Sequence, residues 1–97
     1  MSALSEHEYR EIRIEAAQRL AILLRHFRQA RGLSQERVAQ EAGLALYTYS
    51  CLERATTPSG GVANPTLDTL IRVLHALEVP EVRLDWVIEP ADGIDAA

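Results

Sequence analysis

The chain has no lysine, and cysteine, tryptophan, phenylalanine and methionine occur once each. A lone Cys51 excludes an internal disulfide. No run is long and apolar enough for a membrane span, and the N-terminus lacks the basic-then-apolar layout of a secretory signal. These absences make a cytoplasmic, reducing location the expectation. Aromatic residues are only 5% of the chain and strand-forming runs are scarce, while Ala, Leu, Arg, Glu and Gln dominate. That balance favours an all-α fold. His7, His26 and His75 are dispersed without ligand spacing, so neither a metal nor a cofactor is expected. No glycine-rich phosphate loop is present, and Cys51 has no evident base, so no enzymatic activity is expected.

Ninety-seven residues are enough for one modest core. The net charge of −4 argues against indiscriminate nucleic-acid binding, which makes its distribution informative. Residues 1–18 carry four Glu against Arg10 and Arg13. Residues 19–54 carry six Arg against three Glu, and the acidity is concentrated at the two ends. Every cation is Arg, the side chain best suited to bidentate pairing.

Ser5 followed by Glu8 forms a capping-box pattern, and no Gly or Pro interrupts the chain until Gly32. The stretch from 6 to 18 is either a separate arm or the first half of one long helix. Leu20, Leu24, Phe27 and Arg31 share a stripe with Ala17 and Ala21 nearby, while Ile22 and Leu23 point away from it. Ser34 caps a second helix, Gln35 to Ala42, with Val38, Ala39 and Ala42 inward. Gly43 supplies the positive φ of a tight turn into a third helix, about Leu46 to Arg54. Tyr49 and Leu52 face the core there, leaving Leu46, Tyr47, Ser50 and Cys51 outward. Residues 56–65 are rich in Thr, Pro, Ser, Gly and Asn and read as a loop. A fourth helix follows Pro65-Thr66, with Leu67, Leu70, Ile71, Leu74 and Leu77 at helical spacing. Pro80 opens a short fifth helix to about Ile88, before an acidic tail.

Two short helices meeting at Gly43 are the sequence form of a helix-turn-helix. The order Arg28 to Gly32, Ser34-Gln35, Ala39 with Gly43, Leu52-Glu53-Arg54 and the Pro65-led helix resembles the lambda-repressor-like (XRE, or Cro/C-type) family. The resemblance covers about residues 20–88. It implies a five-helix DNA-binding domain over 19–88, here with an N-terminal helical extension (1–18) and a tail (89–97) expected to be frayed. It also implies that Arg28 and Glu53 form a structural ion pair, and that Gln35 meets a phosphate or base edge. Leu46, Tyr47, Ser50 and Cys51 fall where the family reads bases, a set poor in bidentate donors. Ala45 replaces the usual Ser/Thr N-cap, and Ala55 replaces the family's closing Gly. Arg54, Arg37, Arg31, Arg25, Asn64, Thr66 and the backbone N–H groups of 59–61 are the candidate phosphate contacts.

The expected function is a sequence-specific transcriptional regulator bound to double-stranded DNA as a homodimer. Leu84, Trp86, Val87 and Ile88 are the candidate dimer surface, with the N-terminal helix a further contributor. The alternative is a protein-binding adaptor or antitoxin on the same fold, with a toxin or another protein as partner and no membrane role.

Overall fold

The structure, a computed structural model, describes residues 3–80. Among the described residues the chain forms four helices: α1 (Glu6–Ala30), α2 (Gln35–Ala42), α3 (Leu46–Glu53) and α4 (Leu67–Ala76). The expected fifth helix, with Leu84, Trp86, Val87 and Ile88, and the expected tail lie outside the described residues. An isolated bridge, Thr56 to Val62, closes the loop after α3.

The N-terminal capping box is formed. The Ser5 N–H donates to Glu8 Oε1 at 2.8 Å and the Glu8 N–H to Ser5 Oγ at 3.1 Å. From there α1 runs unbroken for 25 residues, so the stretch from 6 to 18 is the first half of one helix. Its C-terminus closes on Gly32, whose φ of 66° is accessible to glycine without strain. Among the described residues, none before Ile14 is even half-buried. The first two turns therefore project past the core.

The core is built from Ala17, Ala21 and Leu24 of α1, Val38, Ala39 and Ala42 of α2, Tyr49 and Leu52 of α3, and Val73, Leu74 and Leu77 at α4. Small residues on α2 let that helix pack closely on both α3 and α4, while α1 packs on α3. Three expectations need correction. Leu23, expected to point away from the inward stripe of α1, is half-buried and packs against the core, since the covered face of α1 is wider than the Leu20–Leu24–Phe27 stripe. Leu67 and Ile71 are 73% and 57% exposed. The apolar arc of α4 also includes Val73 and Ala76, and is wider than the face the core covers. Burial of Val73, Ala76 and Leu77 rotates the helix and leaves Leu67 and Ile71 outside. Cys51, expected outward, is only 2% exposed. The chain leaving α3 doubles back through the Thr56–Val62 bridge, with the Thr56 N–H donating to the Cys51 carbonyl at 3.0 Å, and covers that side of the helix.

Candidate nucleic-acid interface

Ser34 Oγ accepts the Arg37 N–H at 3.0 Å and so caps α2. Gly43, at φ 72°, ends α2 in the left-handed region, and its N–H bonds back to the Ala39 and Gln40 carbonyls. A Cβ at this position would lie 3.3 Å from Arg72 Nη1, the end of a half-exposed side chain that can shift, so it is the positive φ that favours glycine. Leu44 returns to the core and α3 begins two residues later. Its cap residue, Ala45, makes no side-chain cap bond.

What fixes α3 against α1 is a carboxylate. Arg28 Nε and Nη2 donate to the two oxygens of Glu53 at 2.6 and 3.0 Å, and Gln35 Nε2 donates to Glu53 Oε1 at 2.9 Å. Glu53 is 1% exposed. Burial alone would raise its pKa, but the hydrogen bonds from Arg28 and Gln35 and the nearby Tyr49 hydroxyl outweigh it and hold the carboxyl below its usual range. Arg28 also donates through Nη1 to the Leu33 carbonyl at 3.0 Å, and Arg25 Nη1 donates to the Glu53 carbonyl at 3.1 Å. Two helices, α1 and α2, thus converge on the end of α3. The Tyr49 hydroxyl lies in the same buried cluster without a well-formed hydrogen bond. Burial, and then the Glu53 charge, push its pKa up.

The opposite face of α3 is open. Leu46 and Tyr47 are 45% and 57% exposed and Ser50 is half-buried. The Arg54 guanidinium stands 5.7 Å from the centre of the Tyr47 ring and reaches Cys51 Sγ at 3.4 Å. Tyr47 and Arg54 form one cationic, aromatic unit on the exposed side, while Cys51 is enclosed beneath it.

Several candidate contacts are already engaged elsewhere. Gln35 is tied to Glu53, so its amide N–H is turned inward rather than toward a phosphate. Arg31 donates to the Ala76 carbonyl at 2.9 Å and pairs with Glu78 at 3.1 Å, which caps the end of α4. Thr66 Oγ1 accepts the Thr69 N–H at 3.1 Å as the N-cap of α4. In the loop, the Gly60 N–H bonds to the Thr57 carbonyl and the Gly61 N–H to Thr57 Oγ1, so neither points outward. Arg37 pairs with Glu41 at 2.6 Å on the surface, and Asn64 is exposed.

Arg10, which nothing in its local sequence singles out, joins this surface. A cleft of about 260 Å³ separates α1 from the loop after α3, and Arg10, Gln18, Arg54 and Gly61 line it. Only an unbroken α1 brings Arg10 there. Among the described residues no group of His, Cys, Asp and Glu is arranged to hold a metal ion, and no helix is long and apolar enough to cross a membrane.

No curated protein and no solved structure gives a significant match to the chain. The family model described as "Helix-turn-helix domain" matches residues 19–87, a span that takes in α2, the Gly43 turn, α3 and α4. On that match, and in keeping with the lambda-repressor-like resemblance, the chain belongs to the helix-turn-helix domain family.

Proposed function

We propose that the protein is a cytoplasmic, non-enzymatic transcriptional regulator that binds double-stranded DNA in a sequence-specific manner as a homodimer. One observation carries this reading: α3 is clamped from within by the Arg28–Glu53–Gln35 cluster while Leu46, Tyr47, Ser50 and Arg54 remain open on its outer side. In the major groove, Leu46 suits a thymine methyl and Ser50 a base edge. Tyr47 and Arg54 together suit a phosphate or a guanine edge. Few cations remain for phosphates, so each subunit binds weakly and two copies on half-sites about one helical turn apart supply the affinity. Domain boundaries at 18/19 and 88/89 and a dimer surface at Leu84, Trp86, Val87 and Ile88 belong to the same proposal.

Fluorescence anisotropy with a random duplex, across a salt series, tests it. The expected result is measurable binding at low salt that weakens along a straight line of log K against log salt. Absence of binding at low salt and high protein concentration would reject the DNA reading. It would favour a protein partner for the apolar Leu46–Tyr47 face.

A further inference from the structure

The cleft between α1 and the loop after α3 collects cations that the rest of the fold leaves unmatched. Elsewhere the chain forms ion pairs one helical turn apart, as in Arg19–Glu15, Arg37–Glu41 and Arg72–Asp68. Arg10 has Glu6 at the same spacing and in the favourable order, yet makes no ion pair or hydrogen bond among the described residues. It lines the cleft instead, as does Arg54 from the end of α3. Arg54 touches only neutral partners, the Cys51 thiol at 3.4 Å and the Tyr47 ring at 5.7 Å. Among the described residues no carboxylate lines the cleft. Two guanidinium groups at one cleft repel each other until an anion stands between them.

We propose that this cleft is a binding site for a phosphate ester. Arg10 and Arg54 offer forked, charged N–H donors, the group that pairs best with phosphate oxygens. The Gln18 amide adds a neutral donor from α1. Ile14, Ala55 and Val62 are the apolar part of the lining and suit the carbon side of the ester, such as a sugar ring. Gly60 and Gly61 bring no side chain to the loop wall, which keeps it open to a group of that size. Their N–H groups bond to Thr57, so side chains hold the phosphate. A volume of about 260 Å³ fits one sugar phosphate rather than a larger cofactor.

Two sources carry that chemistry, the sugar-phosphate backbone of a duplex and a free phosphate ester. The site stands on its own geometry, whether or not α3 reads DNA. A free ester would draw Arg54 away from the exposed face of α3. Ester and DNA would then weaken each other's binding by the same factor.

The test is an NMR titration of the isotope-labelled full-length protein with ribose-5-phosphate, at an ionic strength held constant with sodium chloride. The arginine Nε–Hε signals report on the site. Saturable shifts at Arg10 and Arg54 are expected. Arg10→Ala should weaken the binding roughly tenfold, the loss of one charge-assisted contact. Arg13→Ala removes an exposed arginine of α1 that does not line the cleft, and should bind as wild type does. A short random duplex separates the two sources. Shifts at Arg10 with the duplex assign the site to the DNA backbone, and shifts with the ester alone assign it to a free ester. No shift at Arg10 with either probe would overturn the proposal. So would a loss in Arg13→Ala equal to that in Arg10→Ala, which marks diffuse charge attraction. A duplex that fails to bind, beside an ester that does, would reject the DNA reading and leave the site standing.

Discussion

A carboxylate that is almost wholly buried persists in a small domain only where its charge and its lone pairs are both matched. Glu53 meets both conditions through the fork of Arg28 and the amide of Gln35. Replacing it with Gln leaves the Arg28 guanidinium, itself mostly shielded, without a counter-charge. We expect Glu53→Gln to lose on the order of 3–5 kcal/mol in denaturant unfolding at neutral pH. The pH dependence has a definite sign. Because the folded carboxyl sits below its ordinary value of 4.5, its stabilisation is complete above that value and is lost as pH falls through the lower folded pKa. Wild type should therefore lose stability below about pH 4.5, and Glu53→Gln should lose much less over the same interval. Equal stabilities at pH 7 would mean that the pair contributes nothing net.

At the scale of the element, α3 is short and poorly terminated. It starts without a side-chain cap at Ala45 and ends with Ala55 at φ 60°, a conformation glycine adopts freely and alanine does not. Ala55→Gly should stabilise the protein by about 1 kcal/mol, read as a rise in denaturation midpoint. An unchanged or lower midpoint would show that the Ala55 methyl, which packs against the core, contributes as much as the strain costs.

The same helix shows what could be read from sequence. Ser5, Ser34, Thr66 and Gly43 were legible because caps and left-handed turns are local chemistry. The inward stripe of α2, and that of α1 apart from Leu23, were legible because their apolar residues recur at helical spacing. Cys51 was not, since a loop that comes later in the chain covers it. The rotation of α4 was not, since its apolar arc exceeds the available face. The inward turn of Gln35 depends on Glu53, 18 residues away, and the capping role of Arg31 on a helix end 45 residues away.

For the whole molecule, the distribution of arginines decides how an acidic protein could hold a polyanion. Arg25, Arg28 and Arg31 are committed to the ends of α3 and α4, while Arg37 and Arg72 pair with acids one turn away. Arg10 and Arg54 line the same cleft beside the exposed face of α3, and Arg54 has only Cys51 and Tyr47 as neighbours of note. These two are the cations whose loss should register in the salt dependence of DNA binding. Each phosphate contact contributes close to one unit of slope in log K against log salt. We expect Arg54→Ala to reduce the slope by roughly 1 per subunit, and Arg10→Ala to do the same if α1 reaches the backbone. Arg31→Ala provides the contrast. It removes the bond to the Ala76 carbonyl and the Glu78 pair, so it should lower the melting temperature and leave the slope unchanged. If Arg31→Ala flattened the slope and Arg54→Ala did not, the DNA would lie along the α1–α4 side, and the exposed face of α3 would be free for another partner.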